Sequence, residues 1–196
     1  MNSILEEMIS KYAPNNNKER ENAVKEVLQE IALAGLSRGD FFEKAAFYGG
    51  TCLRVFHGLD RFSEDLDFSL ITKNESFDLS SYFSMIEKEI SAFGLIMKIE
   101  MKNKTNESNI KSAFLKGDTK EHMMYFYSNM DLTSGIPNGE LLKIKFEVDV
   151  NPPSKASYET KYSLIPVPYE IKLYDLSSLF DLIFCSAIFI ASLNFS

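Results

Sequence analysis

Tryptophan is absent from this chain of 196 residues, and cysteine and histidine are scarce at two residues each. Cys52 and Cys185 lack the spacing of a disulfide framework, and no cluster of His and Cys near either has zinc-ligand spacing. Neither bridges nor a structural metal is needed at this length, because folding removes roughly 70% of the unfolded chain's accessible surface. Such cysteine usage implies a reducing, cytoplasmic compartment. Positive charge is also short. The chain carries 21 Lys and Arg against 28 Asp and Glu, a formal charge of −7, which argues against a broad basic face for nucleic acid. A small anion held through a cation is compatible with that balance. Long apolar runs are missing as well: Leu182 to Leu193 is 12 residues, against the ~20 needed to span a bilayer, so no membrane segment is expected. Nor does the start read as a signal peptide, since Met1 to Tyr12 carries Glu6, Glu7 and Lys11. Internal repeats and low-complexity segments are lacking too.

Apolar residues are plentiful. They make up 45% of the chain, and its 16 Phe and 9 Tyr fall at strand-like spacing that reads as core. Val24, Val27, Leu28 and Ile31 share one face of a helix expected over Lys18 to Gly35. Ala45 to Tyr48 reads as a buried strand running into a Gly49-Gly50 turn, and Thr51 to His57 as a short helix. Glu64 to Leu70 alternates, with Leu66, Phe68 and Leu70 on one side and Asp65, Asp67 and Ser69 on the other, as in a half-buried strand. Asp78 is placed to cap a helix that ends at Gly94. Further strands are expected over Leu95 to Met101, Ile110 to Lys116, Met123 to Tyr127, Leu141 to Val150, Tyr162 to Val167 and Tyr169 to Leu173, with a turn cluster at Thr133 to Gly139 and a last helix from Asp175. The class is α+β.

Two neighbouring stretches carry the chemistry. The first is Phe47-Tyr48-Gly49-Gly50-Thr51-Cys52-Leu53-Arg54, and the second is Arg61-Phe62-Ser63-Glu64-Asp65-Leu66-Asp67-Phe68. Asp65 and Asp67 leave the same strand face with Cα atoms roughly 6.6 Å apart. They repel each other in water. Around a divalent magnesium ion, which takes oxygen ligands and prefers carboxylates plus substrate phosphates, they become half of a coordination site. An isolated Asp-x-Asp is more often a solvated strand face. Here, however, the glycines let backbone N–H groups and a helix N-terminus approach a phosphate, and Thr51 adds a hydroxyl. Amides that bind anions beside carboxylates that bind cations suit phosphoryl or nucleotidyl transfer.

The Gly50-Thr51 pair, the spacer and Asp65-Leu66-Asp67-Phe68 resemble the minimal signature of the DNA polymerase β-type nucleotidyltransferases. Gly49-Gly50-Thr51 with Leu53-Arg54, and Arg61 and Ser63 ahead of Asp65-Leu66-Asp67-Phe68, are similar to the AbiEii toxin-like nucleotidyltransferases of toxin–antitoxin and phage-defence loci. The resemblance implies a mixed β-sheet flanked by helices. It also implies a third carboxylate on a neighbouring strand, in a Lys-Ile-Glu-Ile-like pattern that Lys145-Phe146-Glu147-Val148 fits. Glu147 is the first choice and Asp149 the second, since alternation turns both the same way. A third acid would accept the attacking hydroxyl's proton or complete a two-ion site.

In this reading Asp65, Asp67 and Glu147 hold Mg2+, two ions being implied, and Gly49, Gly50, Thr51, Ser63 and Lys116 hold the nucleoside triphosphate. Arg54 and Arg61 are alternatives to Lys116 as the phosphate-binding cation, and a structural ion pair is at least as fitting for either. His57 and His122 read as structural. The implied reaction transfers a nucleoside monophosphate from a triphosphate to an acceptor hydroxyl, the 3′ end of a tRNA, with a cognate antitoxin as partner. Three regions follow: an N-terminal helical segment (1–44), the catalytic domain (45–180) and an apolar tail (181–196). Relatives continue past the Tyr174 to Phe180 segment into a helical domain that this text does not match. The tail is therefore expected to pack terminally or to join a second copy, and a catalytically silent remnant that binds nucleotide or protein is the alternative.

Overall fold

A computed structural model describes residues 3–102, 108–127, 136–154 and 156–181. Its helices and strands follow in chain order as α1 (Ser3–Ser10), α2 (Asn17–Arg38), β1 (Ala45–Tyr48), α3 (Gly49–His57), β2 (Asp65–Leu70), α4 (Phe83–Ala92), β3 (Lys98–Met101), β4 (Ile110–Asp118), α5 (Thr119–Phe126), β5 (Leu141–Asp149), β6 (Tyr158–Ser163) and β7 (Tyr169–Tyr174). Residues 176–181 begin a further helix, α6, which Asp175 caps by accepting the Ser178 N–H at 2.9 Å. The strands form a seven-stranded sheet in the order β3-β4-β5-β2-β1-β7-β6. Its pairs are antiparallel except β2 with β5 and β1 with β7, which run parallel.

A smaller aromatic cluster of Tyr48, Tyr158 and Tyr174 lies on one side of this sheet, and most of the core lies on the other. Phe47, Leu66, Phe68, Ile144, Phe146, Val148, Ile171 and Leu173 are buried there beneath α2. Phe41 sits at its centre, with edge-to-face contacts to Phe42, Phe68, Phe77 and Tyr82. Helix α2 is the spine: nearly every side chain from Ala23 to Leu36 is buried, and α1, α4 and α5 pack around it. Asn16 caps it by accepting the Glu19 N–H, and Glu19 reaches back to the Asn15 N–H at 2.7 Å, a reciprocal arrangement that satisfies helix-start donors.

Four expectations need correction. The helix expected to stop at Gly35 runs to Arg38 and is capped at Gly39. Gly35 is instead a packing residue, since a Cβ there would lie 2.9 Å from the Ile86 Cα of α4. Met123 to Tyr127 is not a strand. Asp118 accepts the Glu121 N–H at 2.9 Å and starts α5, whose His122, Met123 and Phe126 face inward. The strand expected over Tyr162 to Val167 is β6, which stops at Ser163, before Pro166 and Pro168 remove two ladder donors. The strand expected from Leu95 begins only at Lys98.

Asp78 caps a 3-10 turn, Leu79–Tyr82, that leads into α4. The tail beyond Asp181, Cys185 within it and much of the Thr133 to Gly139 turn lie outside the described residues. Cys52 is buried, which pushes its thiol up to about 12 and leaves it inert. Among the described residues, no helix is long and apolar enough to cross a membrane.

Candidate metal and nucleotide site

The face of the sheet opposite α2 carries the acids. Strands β2 and β5 run parallel in a register that sets Asp65 beside Lys145, Asp67 beside Glu147 and Ser69 beside Asp149. Cross-strand partners point the same way, so this register turns two sequence-distant acidic pairs onto one patch. Asp65, Asp67 and Glu147 each present a carboxylate oxygen, and these oxygens lie within 4.8 Å of one another. Each residue is only partly exposed. Burial first, and then the charges of Asp65 and Glu147, raise the Asp67 carboxyl from its ordinary 3.8 to about 6.

One ammonium lies among them. Lys145 Nζ is 2.9 Å from Glu147 Oε2 and 3.5 Å from Asp65 Oδ2, while Ser112 on β4 donates to Glu147 Oε1 at 3.2 Å. Three carboxylates less one ammonium leave two negative charges in excess. An all-oxygen donor set with that surplus fits a hard divalent cation such as Mg2+ and offers nothing to a thiophilic one.

Gly49 and Gly50 form the opposite wall. Gly49 has φ +80°, and a Cβ there would lie 2.5 Å from Asp67 Oδ2, so both the backbone and the space require glycine. At Gly50 a Cβ would meet Ser63 Oγ at 2.8 Å, with an Arg61 guanidinium nitrogen 3.8 Å away. The N-terminus of α3, which no side chain caps, therefore opens beside Asp67 with Ser63 and Arg61 at its flank. Tyr48, paired with Asp67 across β1 and β2, closes another side and packs its ring 5.5 Å from Tyr174. Burial and the nearby Asp67 push the Tyr48 phenol above its ordinary value, so it stays protonated.

Other expected residues stand elsewhere. Thr51 is buried and donates its hydroxyl to the Asp65 carbonyl, which ties α3 to the start of β2. Arg54 turns away from the acids: its Nε lies 2.9 Å from Glu26 Oε1 on α2, and its Nη1 donates to the Leu59 carbonyl at 3.0 Å. Asp149 accepts the Asn151 N–H at 2.8 Å and lies one side-chain step beyond Glu147.

Lys116 shares the acidic face. It is four residues from Ser112 along β4, roughly 13 Å, and its ammonium holds Glu100 at 2.6 Å. His57 faces Glu159 at 3.7 Å, and His122 Nδ1 lies 2.7 Å from the Asp118 carbonyl, both outside the patch. Nothing in the sequence alone assigns a role at the patch to Lys145, Ser112 or Tyr48. Alternation alone puts Lys145 on the acidic face, but only the β2–β5 register sets it against Asp65.

A family model described as the nucleotidyl transferase AbiEii toxin of type IV toxin–antitoxin systems matches residues 31–182. No curated protein matches. Among solved structures, the chain is similar to an H. pylori protein assigned as a nucleotidyltransferase, at 20% identity and a TM-score of 0.46, covering 79% of this chain and 53% of that one. It is also similar to JHP933 from Helicobacter pylori, at 17% identity and a TM-score of 0.44, covering 80% and 53%. The chain thus spans about half the length of these two solved relatives. With most of its length under that one family model, sheet and acidic patch included, the chain belongs to the AbiEii nucleotidyltransferase toxin family.

Proposed function

We propose that this chain is the catalytic part of a metal-dependent nucleotidyltransferase toxin, which moves a nucleoside monophosphate from a triphosphate to an acceptor hydroxyl. The observation that supports this reading most is the meeting of Asp65, Asp67 and Glu147 within 4.8 Å, beside a glycine turn whose Cβ positions are already filled. Asp65, Asp67 and Glu147 would hold Mg2+, which when bound neutralises phosphate charge and makes the α-phosphorus a better electrophile. Gly49 and Gly50 let Asp67 and Ser63 close against the start of α3, whose uncapped amides would receive the triphosphate with Ser63 and Arg61 at their flank.

In the transfer, the acceptor oxygen bonds to the α-phosphorus while the bond to the bridging oxygen of the β-phosphate breaks, and pyrophosphate leaves. The proton of the attacking hydroxyl passes to a carboxylate oxygen of Glu147, with Asp149 as the other candidate. Thr51 acts through structure by holding the Asp65 carbonyl, and Arg54 by bracing α3 on α2.

The family supports a toxin role and an antitoxin as the regulatory partner, and we propose a place in phage defence. A tRNA 3′ end is the acceptor we propose, in the cytoplasm, with nucleotide addition stopping translation. The net charge of −7 requires that RNA be held locally rather than across a basic face.

The test is incubation of the purified chain with each radiolabelled nucleoside triphosphate, Mg2+ and total tRNA. Label on tRNA that disappears in Asp67→Asn is the expected result. Label on nothing, from a folded protein that still binds nucleotide, would sink the transferase reading for this chain.

A further inference from the structure

Lys145 is the one cation within reach of the acidic patch among the described residues that already touches two of its three carboxylates. Its Nζ holds Glu147 Oε2 at 2.9 Å and Asp65 Oδ2 at 3.5 Å, and Asp65 and Glu147 are two of the three groups whose oxygens lie within 4.8 Å. The other oxygen of Glu147 is taken by Ser112. The ammonium therefore stands where positive charge is most wanted. Its side chain is 28% exposed, so it has a route out toward solvent.

Resting on the proposed metal site, we propose that Lys145 is a displaceable counter-ion: it keeps the acidic patch closed while no metal is bound, and it must give way before a divalent cation can be taken up. The reason is competition for the same oxygens. A divalent cation needs carboxylate oxygens at about 2.0 to 2.1 Å, and an ammonium hydrogen-bonded to those oxygens both occupies lone pairs and repels the incoming charge. A lysine suits this part better than an arginine, because its ammonium is a compact charge on a flexible four-carbon stem that can leave without breaking a bidentate fork. Once released on the open face of the sheet, it is free to meet phosphate charge, so the residue that guards the patch also becomes a positioning residue for the triphosphate. Lys143 is the natural comparison. It lies two residues back on the same face of β5, exposed to solvent, and makes no contact with the three carboxylates.

The test is a titration of the whole chain with Mn2+ alone, followed calorimetrically, for wild type, Lys145→Met, Lys143→Met and Asp67→Asn. Lys145→Met should bind Mn2+ about fivefold more tightly than wild type, since a partly exposed ion pair of up to about 1 kcal/mol no longer has to be broken. Lys143→Met should stay within about twofold of wild type. A lysine that merely braced the patch would give the opposite sign, because its loss would let the carboxylates spread and weaken the site. Equal or weaker binding in Lys145→Met therefore overturns the proposal.

If wild type binds Mn2+ no better than Asp67→Asn, it is the metal reading of the patch that fails, and the counter-ion proposal with it. A second measurement needs no variant at all. Acylation of wild-type lysines by an N-hydroxysuccinimide ester, read by mass spectrometry, should label Lys145 at least about twofold more when Mn2+ is present, with Lys143 as the internal standard. Unchanged or reduced labelling of Lys145 overturns the proposal independently of any mutant's folding.

Discussion

Two charged clusters flank the Gly-Gly turn, and they are built on opposite terms. On the α2 side, Arg54 meets the nearly buried Glu26 at 2.9 Å, reaches the exposed Asp60 at 3.4 Å and also holds the Leu59 carbonyl, so its one buried anion is answered and the end of α3 is fastened. On the sheet side, three carboxylates have one ammonium among them, Lys145, which touches two of them, and burial together with the charges of Asp65 and Glu147 raises Asp67 to about 6. The first cluster leaves no buried charge of its own unanswered and belongs to the fold. The second is left short of positive charge by a backbone register that could equally well have placed neutral side chains there. Such a deficit, held in place by the core beneath it, is what the proposed metal site rests on.

The largest way to break this comparison is to remove an acid from the unbalanced cluster. Asp65→Asn or Asp67→Asn should lower nucleotide transfer at least about a thousandfold while leaving the fold intact, as checked by activity and circular dichroism together. Transfer at a wild-type rate in either variant would end the assignment. The next effect sharpens the choice of third acid. Glu147→Gln should be the more damaging and Asp149→Asn should cost less than about tenfold, since Asp149 is engaged with the Asn151 N–H and stands a step away. The reverse order would move the role to Asp149.

On the balanced side the expected effect is on stability. Arg54→Met should lower the free energy of unfolding by about 2 kcal/mol, because Glu26 is left nearly buried without its partner. Denaturant melts check it.

The same contrast has a pH signature. Asp67 binds its proton more tightly in the native state, at about 6 against an ordinary 3.8. For this group, native stability is therefore fullest below about pH 4 and is lost as pH rises through 6. Asp67→Asn removes that loss. Without metal, the variant should be about 2 kcal/mol more stable than wild type at pH 8 and no more stable at pH 4, by urea midpoints at the two pH values. The smallest effect is expected at Lys116, whose replacement by Ala should change the KM for nucleotide by less than about twofold, given its pairing with Glu100. A large rise in KM would bring Lys116 back to the phosphates.

Strand β2 was legible because its two faces differ so plainly. Leu66, Phe68 and Leu70 are buried, while Asp65 and Asp67 face the other way, and period-two alternation says nothing else. Strand β5 was legible for the same reason, and with it the direction of Glu147. What alternation cannot supply is which strands are neighbours. The sheet order sets β5 directly beside β2 although β3 and β4 intervene in the chain, and only that adjacency turns Lys145 into a partner of Asp65.

Lys116 is the converse case: its face was readable and its distance was not. Helix α5 looks like a strand in the sequence because Met123 to Tyr127 is largely apolar and aromatic. The Asp118 to Glu121 spacing, a capping signal just upstream, was the cue that would have found it. Gly35 misled in the same way. A glycine that ends a helix and a glycine that lets two helices touch look alike until the second helix is in view.

The parallel register of β2 with β5 also has a consequence for when the site can exist. Asp65 and Lys145 are 80 residues apart in sequence, and Glu147 lies further on still. A ribosome making this chain releases the glycine turn and the first two acids long before their partners, and during that interval the growing polypeptide holds an incomplete set of ligands. No N-terminal fragment that ends before β5 can assemble the patch, however well its helices form. For a protein of a toxin family, the cell making it meets the finished site only once the first five of the seven strands have been synthesised and β2 has paired with β5.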